Sequence, residues 1–378
     1  MKWKFGFWRV VLAVILVSGV AATVVRFTKG LGGATHLSDA FPWGLWVGFD
    51  VLCGVGLAAG GFTVTAAVHI FHIDRFKSIV RPAVLTAFLG YLLVIVGLAF
   101  DLGKPWNIWH PIVMWNHHSV MFEVAWCVTL YTAVLALEFS PMLFERLRWK
   151  RAVRTIRLFT IPLVVAGVLL STLHQSSLGS LFLIVPSKLH PLWYTPWLPV
   201  LFFVSSVVVG CAMVMFESFM SRRAFGRELE FPILVDLGRV ALVGLIVYAE
   251  LRFLDLYSRG ALVHLMEPTE TTFLFLLEIL LLVALPVTLL AIPKVRMQPR
   301  GLFVACTSTV LGFILNRLNV SITGMQGAGS YFPHWMEIAV SLSIVGVGFA
   351  IFGLAARYLP IFNEGGEASK EAVLGRVA

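Results

Sequence analysis

The sequence predicts an all-α polytopic membrane protein with about ten transmembrane helices. Of its 378 residues, 59% are hydrophobic and only 13% are charged, whereas a soluble domain carries about 25% charged residues. The apolar segments reach the roughly 20 residues that a helix needs to cross the hydrocarbon core. They lack the alternation of a membrane β-barrel, and a helix satisfies its own backbone hydrogen bonds in lipid.

Ten such segments follow one another and are numbered spans 1 to 10. Their predicted limits are 8–27, 43–70, 83–101, 117–139, 157–179, 197–219, 232–256, 271–292, 301–320 and 335–357. The first segment starts like a signal peptide, but its apolar core is long and no good small-residue cleavage site follows, so a retained span is predicted. Residues 1–357 are therefore predicted to form a single integral membrane domain, followed by a polar cytoplasmic tail at 358–378.

The positions of the basic residues predict the orientation. If the N-terminus lies in the cytoplasm, 21 of the 29 lysines and arginines fall on the inner side, as the positive-inside rule requires. Ten spans then return the C-terminus to the cytoplasm. The net charge of +9 is thus a topology signal and does not indicate nucleic-acid binding. Two four-helix bundles are predicted, from spans 2–5 and spans 6–9, with spans 1 and 10 as extra helices.

Several ionisable side chains fall inside the spans, where they are costly and mark function by default. The predicted limits place Asp50, Glu123, His174 and Glu278 in the outer third of the bilayer. Other polar residues are predicted still nearer the outer surface: Asp101, Arg252, Asp255, Asn316 and Arg317. A polar layer at this depth suits a site that takes a lipid-soluble substrate and exchanges protons with the outer side.

A quinone fits these requirements, because its headgroup needs a hydrogen-bond partner for each oxygen and a nearby proton acceptor. Histidine titrates near neutral pH and can serve as that acceptor. Ser171, His174 and Gln175 are spaced i, i+3 and i+4, so they share one helix face. We predict that Glu123 and His174 exchange protons with quinone or menaquinone, an exchangeable substrate, and that Asp50 helps to hold this catalytic site. The further predicted headgroup contacts are Gln175, Ser171, Asp101, Arg317 and Glu278.

Structural alternatives remain for these residues. Buried polar groups often only bridge helices, an interpretation that applies to His174 with Gln175 and to Glu123 and Asp50. The stripe containing Arg252, Asp255 and Arg259 is predicted to form an internal salt bridge.

Two other functions also remain open. A proton- or ion-coupled transporter needs a polar path through the inner half, for which Glu217, Asp236 and Arg239 are the candidates. A b-type haem needs two axial histidines, and His174 with His117 or His118 is the one plausible outer pair.

No iron–sulfur cluster, haem or metal site of its own is expected from the remaining residues. The four cysteines lie in four different spans, and none forms a CxxC pair. The outer loops are rich in aromatic residues, which indicates either an interfacial aromatic belt or a docking surface for a partner on the outer side.

Four blocks of the sequence resemble a known family. They are "FPWGLWVGFDVLCGVGLAAGGF" (41–62), "SVMFEVAWCVTLYTAVLALEFSPMLFERL" (119–147), "STLHQSSLGSLFLI" (171–184) and "YFPHWMEI" (331–338). The chain resembles the NrfD/polysulfide-reductase family of membrane subunits. It is most similar to the ten-span "cytochrome b" subunits of periplasmic uptake nickel–iron hydrogenases.

This resemblance implies a haem-free, quinone-binding subunit of the bacterial inner membrane. It implies a periplasmic ferredoxin-like partner with several [4Fe–4S] clusters, which leads to a hydrogenase, a multihaem cytochrome or another catalytic subunit. The chain would not be catalytic alone. In the family the quinone site lies near the periplasmic face, and this carries over to Asp50, Glu123 and His174.

Overall fold

The computed structural model describes residues 7–226, 228–329 and 331–362. Ten helices in these ranges are long and apolar enough to cross a membrane, and the described ranges contain no β-strand. The predicted all-α membrane class and the number of spans are therefore confirmed. Most of the predicted tail, from residue 363 onward, lies outside the described residues.

The limits of the spans agree with the predicted ones to within about two turns. Eight spans are single helices: Phe7–Lys29 (span 1), Lys77–Asp101 (3), Val120–Arg146 (4), Thr160–Leu181 (5), Leu198–Phe225 (6), Phe231–Ser258 (7), Pro299–Ser321 (9) and Trp335–Tyr358 (10). Span 2 consists of a π-helix, Trp46–Cys53, and two α-helices, Gly54–Leu57 and Gly60–His69. Span 8 consists of Glu270–Ile279, a π-helical turn at Leu280–Ala284, and Leu285–Ala291.

Spans 3, 4 and 6 extend further at their inner ends than predicted. The added turns carry arginines such as Arg81, Arg146 and Arg222. Judged by hydropathy, each span is predicted to end at these charges. The helix continues because the long basic side chains reach the interface with their charged ends while their stems stay on apolar surface.

Local sequence sets several of the helix ends. The side chains of Ser119 and Thr269 accept backbone hydrogen bonds at the starts of spans 4 and 8. His334 and Glu337 form a reciprocal capping box at the start of span 10. Gly226 ends span 6 in the left-handed conformation, which glycine adopts without steric cost.

The spans pack in two rings of four helices. Spans 2, 3, 4 and 5 contact one another in a ring, and spans 6, 7, 8 and 9 do the same. Span 6 also packs on spans 2 and 5, and span 1 lies against span 10. This packing is compatible with two four-helix units, while the orientation in the membrane stays a prediction.

Candidate functional site

His174 lies at the centre of a polar cluster between spans 3, 4 and 5. It is fully buried, and its Nδ1 atom lies 2.9 Å from the hydroxyl of Tyr91 on span 3. The ring of Tyr91 also meets Tyr131 of span 4 edge to face, with centroids 4.6 Å apart. Three helices are thus joined through one histidine and two tyrosines.

Glu123 lies at the outer end of the same cluster. The hydroxyl of Ser177 donates a 2.5 Å hydrogen bond to Glu123 Oε1, and Ser177 is three residues beyond His174 on the same helix face. Glu123 itself is exposed. The polar cluster of Tyr91, Glu123, Tyr131, Ser171, His174 and Ser177 is called the span 3–5 cluster below.

The depths of Glu123 and His174 differ from the prediction. Ser119 caps span 4, which begins at Val120, so Glu123 lies in the first turn and not about six residues down. Span 5 continues helically to Ile184, which places His174 about 15 Å from that end at 1.5 Å per residue. The two residues therefore do not share one depth: Glu123 lies at the end of span 4, and His174 lies further inside the bundle.

Three buried polar atoms of the span 3–5 cluster lack a hydrogen bond of normal geometry: Tyr131 OH, Ser171 Oγ and His174 Nε2. The Ser171 hydroxyl lies close to the hydroxyls of Tyr91 and Tyr131. Their residues are at most 1% exposed. A buried polar group left unpaired costs about 1–3 kcal/mol, and such groups call for an explanation such as a bound water or a functional role. The cluster therefore offers hydrogen-bonding atoms that the described residues do not use.

Gln175, predicted to contact the headgroup, instead bridges helices. Its Nε2 donates to the carbonyl of Val55 on span 2 at 3.1 Å. Its Oε1 accepts a 2.6 Å hydrogen bond from Ser206 of span 6. Both ends of the amide are engaged, so the geometry favours the structural alternative for this residue.

Asp50 does not join the span 3–5 cluster. Its Oδ2 accepts a 2.5 Å hydrogen bond from Ser341 of span 10. It lines a largely apolar cavity of about 360 Å³ between spans 2, 3, 6 and 10, whose walls include neither Glu123 nor His174. The expectation that Asp50 faces these two residues across one bundle is therefore wrong, because the polar side of this part of span 2 faces span 10.

Asp101 also lies apart from the cluster, at the outer end of span 3. One of its carboxylate oxygens is buried without a hydrogen-bond partner. The neighbouring cation is Arg26 of span 1, which donates to the carbonyls of Phe100 and Leu102 at 2.7 and 2.6 Å. Asp101 thus belongs to the contact between spans 1 and 3.

Glu278 and Arg317 form a separate and fully bonded cluster in the second half of the molecule. Glu278 is fully buried and accepts three hydrogen bonds of 2.7–2.9 Å, from Trp193, Asn316 and Asn319. Arg317 donates to Asn316 Oδ1 and to Ser205 Oγ, at 2.6 and 2.8 Å. Because the carboxylate and the guanidinium are held this way, the arrangement favours a structural role over headgroup binding.

The predicted internal salt bridge on span 7 is confirmed. Arg259 Nη2 lies 2.5 Å from Asp255 Oδ2, and Thr195 donates to the other oxygen of Asp255. Arg252 donates to the carbonyl of Leu192 at 2.6 Å. This stripe ties span 7 to the loop before span 6.

The structure does not bring His174 and His117 together as the predicted axial haem pair. His174 is the one histidine that is buried in the described spans, and its Nδ1 already faces Tyr91. His117 lies in the outer loop before span 4, where its ring packs on Trp115 and Phe122. Nor do the described residues contain a group of three histidine, cysteine or acidic side chains placed to hold a metal ion.

The outer loops are fastened around Glu337. Its carboxylate accepts hydrogen bonds from the backbone of His36 and His334 and from the Tyr331 hydroxyl. Burial, and then the neighbouring Glu337, raises the pKa of Tyr331 above its usual range, so the phenol remains a donor.

The loop before span 4 exposes Trp106, Trp109 and Trp115.

The sequence pointed to Glu123, Ser171 and His174 but missed Tyr91 and Tyr131. Each tyrosine lies in the interior of an apolar span, where an isolated phenol is easily taken for a packing residue. The signal that could have found them is the depth shared with His174, since a buried tyrosine hydroxyl usually has a partner.

Comparison with known proteins gives one family and several full-length relatives. The family model described as "Polysulphide reductase, NrfD" matches residues 33–327. A Nitratidesulfovibrio vulgaris protein with no more specific name is 40% identical, over 94% of each chain. An Escherichia coli protein named "Probable Ni/Fe-hydrogenase 2 b-type cytochrome subunit" is 35% identical, over 89% of this chain and 88% of its own. The "Menaquinone reductase, integral membrane subunit" of N. vulgaris is 28% identical, over 97% and 94%.

Proposed function

This chain belongs to the NrfD family of polysulphide-reductase-type membrane subunits, and on that premise we propose that it is the quinone-reactive subunit of a respiratory complex. The quinone would be menaquinone, as the name of one relative suggests. Electrons pass between the quinone and an iron–sulfur subunit on the periplasmic side of the bacterial inner membrane. The observation that carries the proposal is the set of three buried polar atoms that lack a hydrogen bond of normal geometry beside the Tyr91–His174 pair.

His174 can serve both directions of the reaction because Tyr91 is a two-way partner. A tyrosine hydroxyl both donates and accepts. When Tyr91 donates to Nδ1, the other nitrogen of His174 carries the proton and can donate to a quinone oxygen. When Tyr91 accepts from Nδ1, the Nε2 atom is free to take a proton from a quinol. Ser171 and Tyr131 supply further hydroxyls for the headgroup.

Glu123 is placed to pass protons to the outer side. Oxidation of one quinol releases two electrons and two protons, and the protons need an acceptor that reaches water. Glu123 is exposed and is bonded to Ser177, one turn beyond His174. In this proposal His174 exchanges protons with the headgroup, and Glu123 exchanges them with the periplasm.

The partner would dock on the outer loops. The relatives' names place them in hydrogenase and reductase complexes, which supports a catalytic or iron–sulfur partner. The exposed tryptophans of the loop at 102–118 lie directly before the helix that carries Glu123. Trp126 of that helix donates to the carbonyl of Pro111 at 2.9 Å, so a partner on this loop would sit beside the proposed quinone site.

The transporter alternative receives no support from its inner-half residues. Asp236 pairs with Arg239 at 2.9 Å and also with Arg75. Glu217 accepts a 2.5 Å hydrogen bond from Thr86. These residues are engaged with their neighbours.

A Glu123→Gln substitution tests the proposed function. The amide keeps the shape and the contact with Ser177 but cannot carry the proton. We expect donor-linked quinone reduction in membranes to fall about 100-fold, the lower end of the usual contribution of a positioned acid or base. Glu270→Gln is the matched control, since Glu270 is also exposed in the first turn of a span, span 8. Near-normal turnover of an intact Glu123→Gln complex would remove Glu123 from the mechanism.

A further inference from the structure

A basic cavity of about 830 Å³ lies beyond the inner end of span 4. One wall is the end of span 4, and the other is a nine-residue surface helix, Lys150–Leu158. Four cations line it: Arg148, Lys150, Arg154 and Arg157. Neither the quinone site nor the outer loops involve this cavity, so its chemistry stands independently of the proposed function.

The cavity carries more positive charge than its own acid can balance. Glu145 is the one carboxylate in the lining, and it is already paired with Arg81 at 3.0 Å and with Arg157 at 2.9 Å. Arg148, Lys150 and Arg154 form no ion pair with any described carboxylate. An anionic ligand would bind to three uncommitted cations.

The surface helix is built to present these cations to the cavity. Lys150, Arg154 and Arg157 are spaced i, i+4 and i+7, which places them on one helix face. Val153 is buried on the same face and lines the cavity between these cations. Arg148 holds a left-handed backbone conformation, with φ of 59°, which is uncommon for a residue with a side chain. The general preference for basic residues on the inner side of a membrane explains neither the i, i+4 and i+7 spacing of these cations nor the presence of a cavity.

Exposed apolar side chains lie on the segments that form the cavity, either in its lining or next to lining residues in the sequence, and they indicate an amphiphilic ligand. Leu147, Trp149, Leu158 and Phe159 are each at least 50% exposed. Trp149 stacks on Phe144 with ring centroids 5.5 Å apart, in the manner of an interfacial aromatic anchor. A soluble anion gains nothing from this rim, whereas a lipid places its headgroup among the cations and its chains along the apolar residues.

We propose that this cavity binds an anionic phospholipid of the inner leaflet through its phosphates. Basic pockets between membrane helices on the cytoplasmic side recognise such headgroups. Three uncommitted cations and the size of the cavity favour two phosphodiesters over one. The ligand is therefore cardiolipin, whose headgroup joins two phosphodiesters through glycerol.

Native mass spectrometry of the purified complex, reconstituted into lipid nanodiscs and released from them, tests this assignment. The variant is the triple substitution Arg148→Gln, Lys150→Gln and Arg154→Gln. The control removes the same charge from exposed arginines of other inner segments, through Arg222→Gln, Arg223→Gln and Arg300→Gln. We expect the unaltered protein and the control to retain cardiolipin from nanodiscs of phosphatidylcholine and cardiolipin, and the variant to retain about tenfold less.

Two further arms separate the possible sources of the phosphate. Nanodiscs with phosphatidylglycerol at the same total charge should give clearly weaker retention, and a large excess of inorganic phosphate should not displace cardiolipin. Equal retention of phosphatidylglycerol would overturn the two-phosphate assignment. Displacement by inorganic phosphate, or undiminished cardiolipin on the triple variant, would overturn the lipid site. Without cardiolipin the variant should unfold cooperatively at the apparent Tm of the control, which shows that it is folded. Cardiolipin should raise the apparent Tm of the unaltered protein but not of the variant.

Discussion

The Tyr91 hydroxyl, through its bond to Nδ1, controls whether the Nε2 atom of His174 donates or accepts a proton. The two groups lie 2.9 Å apart and are both fully buried, so no bulk water competes for the bond. A histidine ring nitrogen is fixed as donor or acceptor by the partner of the other nitrogen. Tyr91 is therefore a positioning residue for His174 in the proposed site.

Removal of that hydroxyl should impair turnover more than folding. In Tyr91→Phe the Nδ1 atom of His174 loses its partner, and both tautomers become poorly defined. We expect the rate of donor-linked quinone reduction to fall about tenfold, which corresponds to about 1.4 kcal/mol, in a complex that still assembles. The measurement is steady-state quinone reduction at saturating donor.

The control for this substitution is Tyr257→Phe, which removes a hydroxyl from an exposed tyrosine of span 7. It should leave the rate unchanged. If Tyr91→Phe also kept the full rate in an assembled complex, His174 would not depend on this bond and the two-way role proposed for Tyr91 would be wrong.

The residues of the candidate site could be predicted only where polarity stands out locally. Ser171 and His174 interrupt an apolar span, so the sequence alone marks them. Asp50 is equally conspicuous, but a single sequence does not say which helix its carboxylate faces, and Ser341 is 291 positions away. The same limit applies to Glu278, because its three donors come from two other segments of the chain.

At the scale of the elements, one glycine sets the distance between spans 8 and 9. A Cβ atom on Gly312 would lie 2.3 Å from the backbone nitrogen of Leu282, in the π-helical turn of span 8. Asn316, one turn further along span 9, donates a 2.7 Å hydrogen bond to Glu278. The close backbone approach at Gly312 therefore keeps the second polar cluster together.

Gly312→Ala should separate these two spans. The methyl group meets backbone and not a flexible side chain, and overpacking of this kind costs about 1–3 kcal/mol. We expect a lower apparent Tm in detergent. Gly353→Ala is the matched control on span 10, because a Cβ atom there meets nothing within 4 Å; it should hold or raise the apparent Tm, since alanine favours helix over glycine by about 0.5–1 kcal/mol. Equal thermal stability of the two variants would show that spans 8 and 9 tolerate a wider spacing.

The existence of the spans could be predicted from the sequence, and their irregularities could not. Hydropathy and length suffice for ten helices, because lipid leaves the backbone few other options. The π-helical segments at Trp46–Cys53 and Leu280–Ala284 have no amino-acid composition that distinguishes them from an α-helical span. They arise from packing against other spans, as at Gly312. The hydropathy pattern of a single segment carries no information about that packing.

At the scale of the whole molecule, orientation decides what the polar groups do. The proposed assignment requires Glu123 to face the periplasm and the basic cavity to face the cytoplasm. The four native cysteines are all buried, so a cysteine placed in a loop reports on its own side of the membrane. His118→Cys in the loop before span 4 and Thr155→Cys on the surface helix are both exposed sites.

A membrane-impermeant maleimide should label His118→Cys in intact spheroplasts and Thr155→Cys only after permeabilisation. This pattern follows from the positive-inside rule, because the surface helix lies in the most basic of the inner segments. Labelling of both before permeabilisation, with an intact-cell control for leakage, would mean that one intervening span does not cross the membrane. The reverse pattern would place Glu123 on the cytoplasmic side, so quinol oxidation would release its protons there and the iron–sulfur partner would have to be a cytoplasmic protein.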